Sequence, residues 1–375
     1  MIENVEKRIL SDIGNNYIAG VSVFVAQHGE VLLQKAYGYS DFDNKTPLKN
    51  DSIFRIASMS KPILACAAAI LADSGKLDLY KKVSDYLPQF SKVYFGEFNN
   101  HSKGTRGEEV KTAPLVHQLF NHSSGFGSGV TYPVCFSAPD SAYESLENVV
   151  NYYSENAFLE FEPGTRSNYS GIMGFDIAAR IIEVITGMDY REFVKQNVLE
   201  PIEMHDTTYN LNDEQKTRLV KMFFIGQEGA RNIPMLNRSY GRSTNDYSPA
   251  GAGLYSTAED YSHFAQMLAN KGIYKGKLII SEGAFNILTA KYLPDDLQTS
   301  IEDSRWGLGL TVDTETAKHR VPGSMQWGGA YGTGWFADPT NNIVAVYMKN
   351  SHYLSLPFAA WMYEFEDDVN TALEE

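Results

Sequence analysis

Ser58 and Lys61 stand three residues apart at the start of an apolar run, in Phe54-Arg55-Ile56-Ala57-Ser58-Met59-Ser60-Lys61-Pro62 followed by Ile63 to Leu71. On a helix, residues three apart share a face, so the serine hydroxyl and the lysine amine can meet. A hydroxyl beside an amine is a nucleophile with its base, provided that the lysine gives up its charge. Burial in an apolar helix and a polar donor or second cation nearby bring that about. Ser-x-x-Lys arises by chance about once in a few hundred residues at average composition, so the pattern alone says little. Placement says more: a solvated lysine usually has polar neighbours, whereas Lys61 opens a stretch without charge.

Two further stretches could complete acyl-transfer chemistry. Tyr169 follows the turn Glu162-Pro163-Gly164-Thr165 and precedes a helical run, a place from which a side chain projects into a cleft. Gln326-Trp327-Gly328-Gly329-Ala330-Tyr331-Gly332-Thr333-Gly334-Trp335-Phe336 puts four glycines in a β-rich region. Glycines in a strand admit close approach of a ligand, and a strand edge can offer a backbone N–H to an oxyanion. Taken singly, each glycine also fits a bulge or hairpin corner, and Tyr169 is one of 23 tyrosines.

The elements that must position these residues follow from periodicity. Met1 to Ile13 has an amphipathic helical pattern, and Gly20 to Ala26 and Val31 to Tyr37 form a hairpin around Gln27-His28-Gly29-Glu30. The serine helix ends near Gly75. Residues 94–112 read as an exposed excursion, 129–142 as irregular, and 205–250 as loops without clear period. Helices are expected over Val116–Phe120, Leu146–Tyr153, Ile172–Ile185 with Gly187 as its stop, and from Tyr190 to Pro201. Thr257 and Asp260 frame a capping box. Short strands follow at Trp306–Val312, Trp335–Ala337 and Ile343–Met348, and a closing helix carries Phe358, Trp361, Met362, Phe365 and Val369 on one face. Strands at both ends with helices between predict an α+β protein. Residues 1–80 and 251–375 would form an antiparallel sheet flanked by helices, residues 81–250 an inserted, mainly helical domain, with the site in the cleft between them.

Taken in order, these motifs resemble the serine β-lactamase and penicillin-binding-protein superfamily. His122-Ser123-Ser124-Gly125, Pro201-Ile202-Glu203-Met204 with Asp206-Thr207, and Gly251 to Asp260 are similar to its class C-like branch. The resemblance spans about residues 18 to 350 and implies a β-lactamase-like fold. It implies that Ser58 is the acylated nucleophile, that Lys61 and Tyr169 form the base system, and that the backbone N–H groups of Ser58 and Ala330 form an oxyanion hole. Trp327, Gly328, Gly329 and Tyr331 would bind substrate, and His122 would be architectural. Two departures narrow the activity. Penicillin-recognising members usually have Tyr-x-Asn, where this chain has Gly171, and Lys-Thr-Gly or His-Thr-Gly, where it has Trp327-Gly328-Gly329. Loss of an amide-binding asparagine and a carboxylate-binding cation suits a neutral acyl group, and the pattern is similar to the class VIII carboxylesterases. A serine hydrolase of carboxylic esters is therefore expected. A D-amino-acid peptidase or amidase, a β-lactamase, and a catalytically silent penicillin-binding-like protein are the alternatives.

Composition bounds the rest. The chain has 375 residues and a formal net charge of -14, and it lacks the basic stripe that nucleic acid requires. Its two cysteines make no disulfide framework, its eight histidines show no metal-ligand spacing, and there is no Gly-x-Ser-x-Gly elbow. Gly272 to Lys277 has the wrong spacing for a phosphate loop. No metal or organic cofactor is expected, and the partner is a small ester, amide or β-lactam. No run spans a membrane, and the start does not resemble a signal peptide, so a cytoplasmic protein is expected. Nothing in the sequence sets an oligomeric state.

Overall fold

The computed structural model describes residues 2–97, 105–226, 229–232, 244, 246–294, 297, 303–351 and 358–374. An eight-stranded antiparallel sheet joins the two ends of the chain. Its strands are β1 (Gly20–Gln27), β2 (Glu30–Asp41), β3 (Thr46–Pro47), β4 (Ser304–Trp306), β5 (Thr311–Asp313), β6 (Met325–Gly329), β7 (Thr333–Asp338) and β8 (Ile343–Lys349), in the order β4-β5-β6-β7-β8-β1-β2-β3. Early and late segments meet where β1 pairs with β8, Val23 opposite Tyr347.

The apolar run of β1 is explained by this central position, because a strand covered on both faces alternates between two cores rather than between core and water. Val21, Val23 and Val25 join Ile343, Ala345, Tyr347 and Phe336 on one face. There they meet Val5 and Ile9 of α1 (Glu3–Gly14) and Phe365 and Val369 of the closing helix (Phe358–Glu374). The side chains of Phe358, Trp361 and Met362 lie outside the described residues. Phe24 and Ala26 face the other way, with Val344, Val346, Trp335 and Ala337, into the larger core, which also holds α2 (Ser60–Asp73), a helix buried almost all round. Two more helices belong to this core: α3 (Met173–Thr186), which packs on α2 and is stopped by Gly187 in the left-handed conformation at φ 68°, and α4 (Ala258–Ala269), which lies directly on β1, β7 and β8.

Several local expectations need correction. The excursion at 94–112 contains a small hairpin, Tyr94–Glu97 against Thr105–Glu109. The 205–250 stretch contains a helix over Asp213–Arg218 and strands at Phe223–Gly226 and Gly229–Asn232. Trp306–Val312 is two paired strands rather than one, because the chain reverses through Gly309 at φ 66°. A Cβ on Gly309 would lie 2.9 Å from the Lys61 carbonyl oxygen, so this turn packs directly on α2. Thr257 does cap α4 by accepting from the Asp260 N–H. The Asp260 carboxylate, however, accepts from the Asp206 N–H at 2.7 Å and Thr207 Oγ1 at 2.9 Å, so it ties in a distant turn instead of closing a capping box. The helix from Tyr190 is regular only to Val194; it widens into a π turn over Lys195–Leu199 and ends in a 3-10 turn over Glu200–Ile202. No described helix is long and apolar enough to cross a membrane, and among the described residues no three His, Cys, Asp or Glu side chains group to hold a metal.

Candidate active site

Ser58 lies just ahead of α2, in a 3-10 turn over Ala57–Met59, rather than in the helix itself. The turn is held from several sides. Ala57 takes the left-handed conformation at φ 42°, which an L-residue with a Cβ adopts only under constraint. Ser60 Oγ donates to the Ala57 carbonyl at 2.7 Å and accepts from the Leu254 N–H at 3.1 Å. Tyr261 of α4 donates its hydroxyl to the Met59 carbonyl at 2.8 Å. From the sheet, Gly329 of β6 presses on the preceding residue so closely that a Cβ there would fall 2.2 Å from the Ile56 carbonyl oxygen. The serine is partly exposed while its neighbours are buried.

Lys61 is fully buried, one helical turn on. Its Nζ lies 3.3 Å from Ser58 Oγ, 2.7 Å from the Gly171 carbonyl and 3.0 Å from the Gly251 carbonyl. Burial disfavours its charge and pulls its pKa down to about 7, against the opposing pull of Asp176 and Cys135. Tyr169 arrives on the loop before α3 and donates its hydroxyl to Ser58 Oγ at 2.7 Å. Burial raises its pKa to about 12; the Ser58 hydroxyl and the nearby Trp327 indole favour the phenolate but do not prevail. The Trp327 N–H makes no hydrogen bond of full geometry. The three predicted side chains therefore converge on one oxygen.

An aromatic wall surrounds the phenol. The Tyr169 ring stands 4.6 Å from His122, 5.6 Å from Trp327 and 6.4 Å from Trp306, centroid to centroid. His122 Nδ1 accepts the Ser170 N–H at 3.1 Å, which fixes the loop that carries Tyr169. Burial and the neighbouring Lys61 hold the pKa of His122 well below its ordinary value. A neutral ring bonded to backbone is architectural.

The remaining predicted residues are placed unevenly. Ala330 follows the last residue of β6 and clusters with Ala57, so its backbone borders the Ser58 turn. Trp327 and Gly328 are partly exposed beside it, whereas Gly329 is buried. Tyr331 is 1% exposed and packs with Ala57 and Met222 behind the turn, so it braces the site rather than displaying its ring.

Sequence reasoning missed Trp306, Tyr132, Asp176 and the two carbonyls that hold Lys61. A Cβ on Gly171 would lie 2.8 to 3.2 Å from the Tyr132 ring tip, so an aromatic side chain fills the space beside the residue after Tyr-Ser. Asp176 alone had a signal, as the single charge within Ile172–Ala179. Backbone carbonyls have no sequence signature.

The family model described as Beta-lactamase matches residues 6–367. Protein Rv1367c of Mycobacterium tuberculosis is 28% identical over 346 residues, covering 88% of this chain and 85% of that protein. Esterase EstB of Burkholderia gladioli is 27% identical, covering 90% and 87%. Among solved structures, "EstCE1, a hydrolase with promiscuous acyltransferase activity" superposes with a TM-score of 0.81 at 22% identity, covering 98% of this chain and 97% of that one. With its fold, its motif order and a match over nearly its whole length, this chain belongs to the Beta-lactamase family.

Proposed function

We propose that this protein hydrolyses carboxylic esters of neutral acyl groups through an acyl-enzyme on Ser58. The observation that carries the reading is the set of contacts around one hydroxyl: Tyr169 at 2.7 Å and a buried, readily neutralised Lys61 at 3.3 Å. Neutral Lys61 has two N–H groups, which the Gly171 and Gly251 carbonyls take up, and a lone pair left for the Ser58 proton. Tyr169, whose pKa is raised, keeps its own proton and acts as a donor: it holds the Ser58 oxygen and can pass a proton to the leaving alkoxide. Acylation expels the alcohol, and a water activated by the same pair then attacks the ester carbonyl on Ser58. Backbone N–H groups of Ser58 and Ala330 would take the oxyanion. The proposed cleft is bounded by Trp327–Gly329 of β6, which lies beyond the pairing with β5, and by the helical part of the chain, for which residues 81–250 are the proposed extent.

Three features favour an ester over a peptide or β-lactam. An indole stands at Trp327 where a carboxylate-binding cation would be needed, Tyr132 covers the place of an amide-binding side chain at Gly171, and one of the relatives is an esterase by name. Steady-state turnover of p-nitrophenyl butyrate, nitrocefin and a D-Ala-D-Ala peptide tests this reading. The ester should be the fastest; faster peptide or nitrocefin turnover would contradict it, and no turnover of any would favour a silent binding protein.

A further inference from the structure

We propose that Asp176 is a positioning residue for Lys61: it fastens the turn whose carbonyl holds the amine, and its negative charge sets how readily Lys61 loses a proton. The inference rests on the ester-hydrolase reading above. Asp176, on α3, is completely buried. Its Oδ1 accepts the Ala250 N–H at 2.8 Å, and its Oδ2 accepts the hydroxyls of Tyr247 at 2.7 Å and Tyr153 at 3.2 Å. Ala250 is joined to Gly251, whose carbonyl meets Lys61 Nζ at 3.0 Å. The carboxylate thus reaches the amine through one peptide unit.

This indirect route has a chemical consequence. A carboxylate in direct contact would hold Lys61 as an ammonium, and burial with no anion at all would strip its proton at lower pH. Asp176 lies between those limits. The other titratable groups facing Lys61 are Ser58, Tyr169, His122 and Cys135, and burial keeps the last three neutral. Asp176 is therefore the carboxylate that acts on Lys61 among the described residues. Its own surroundings are Tyr153, Tyr247, Tyr190, Tyr209, Cys135 and Lys61; the hydroxyls of Tyr153 and Tyr247 and the Ala250 N–H favour its charge, whereas burial raises its pKa to about 7.

The test is the rate of Ser58 phosphonylation by a fluorophosphonate from pH 4.5 to 9 in the full chain, for wild type, Asp176→Asn and Tyr247→Phe. Asn keeps the size and the Ala250 contact while removing the charge. The midpoint of the acid limb should fall by about 0.5–1 pH unit in Asp176→Asn and by less in Tyr247→Phe. A merely structural role would lower the plateau rate or the thermal midpoint and leave the limb in place. A folded Asp176→Asn with an unmoved midpoint overturns the proposal; if that variant does not fold, an unmoved midpoint in Tyr247→Phe does so. A wild type that takes no label at any pH overturns the ester-hydrolase reading itself, an outcome distinct from an unmoved limb.

Discussion

Gly329→Ala and Gly328→Ala are adjacent one-methyl changes that should have very different consequences. At 329 the new Cβ would lie 2.2 Å from the Ile56 carbonyl oxygen and 2.3 Å from Thr333 Oγ1, whereas at 328 its closest neighbour is the Thr333 carbonyl oxygen at 3.4 Å. An ordinary contact begins near 3.4 Å, so the Ile56 backbone, two residues before Ser58, must retreat by about 1.2 Å. Overpacking of this kind costs about 1–3 kcal/mol, and a displacement of about 1 Å at the reacting atom costs on the order of a hundredfold in rate. Measured as kcat/KM on p-nitrophenyl butyrate alongside the thermal midpoint, Gly329→Ala should lose about two orders of magnitude and a few degrees. Gly328→Ala should keep the wild-type thermal midpoint, the readout on which the two variants are compared, because residue 328 also borders the proposed substrate path. Equal midpoints in the two variants would refute the claim that β6 sets the nucleophile turn.

Other outcomes follow from the same geometry. Tyr169→Phe removes the donor 2.7 Å from Ser58 Oγ and should lower kcat by about 10²–10⁴ with little change in thermal midpoint; an unchanged kcat would remove Tyr169 from the chemistry. Because Lys61 must be neutral to act, kcat/KM should fall about tenfold per pH unit below pH 7. The same depressed pKa bears on stability: between about 7 and the ordinary 10.5, the unfolded chain holds a proton that the folded chain has lost, so stability rises with pH across that window. Lys349 is buried too, with its pKa likewise lowered to about 7, so urea unfolding at pH 7 and pH 9 should show an increment that is smaller in Lys61→Met than in wild type, by on the order of 2 kcal/mol. Gly171→Asn should impair ester turnover by driving a side chain into Tyr132, and adding Tyr132→Ala should restore part of the loss; full activity of the single variant would mean that Tyr132 does not fill that space.

Much of the fold was legible because burial leaves a period. The apolar run after Lys61 announced a buried helix, and strands near both termini announced a sheet that closes through β1 and β8. Ser58, Lys61 and Tyr169 were legible as side chains with frames of their own. The rest depends on contacts between distant segments. Nothing local marks Tyr132 as the neighbour of Gly171, nor Trp306 as a partner of Trp327, whose ring stands 4.7 Å away. The burial of Tyr331 behind the turn was not legible, because an aromatic beside glycines reads the same in sequence whether it lines a cleft or fills the space behind it. The split at Trp306–Val312 escaped notice because its apolar residues continue through the turn, which exists to pack on α2.

The central claim is that the Ser58 hydroxyl, activated by Lys61 and Tyr169, is the atom that takes up the acyl group. Peptide mapping by mass spectrometry after treatment with a fluorophosphonate tests it most directly. The account predicts one adduct, on Ser58, and none in Ser58→Ala; an adduct on another residue, or equal labelling of Ser58→Ala, would contradict it.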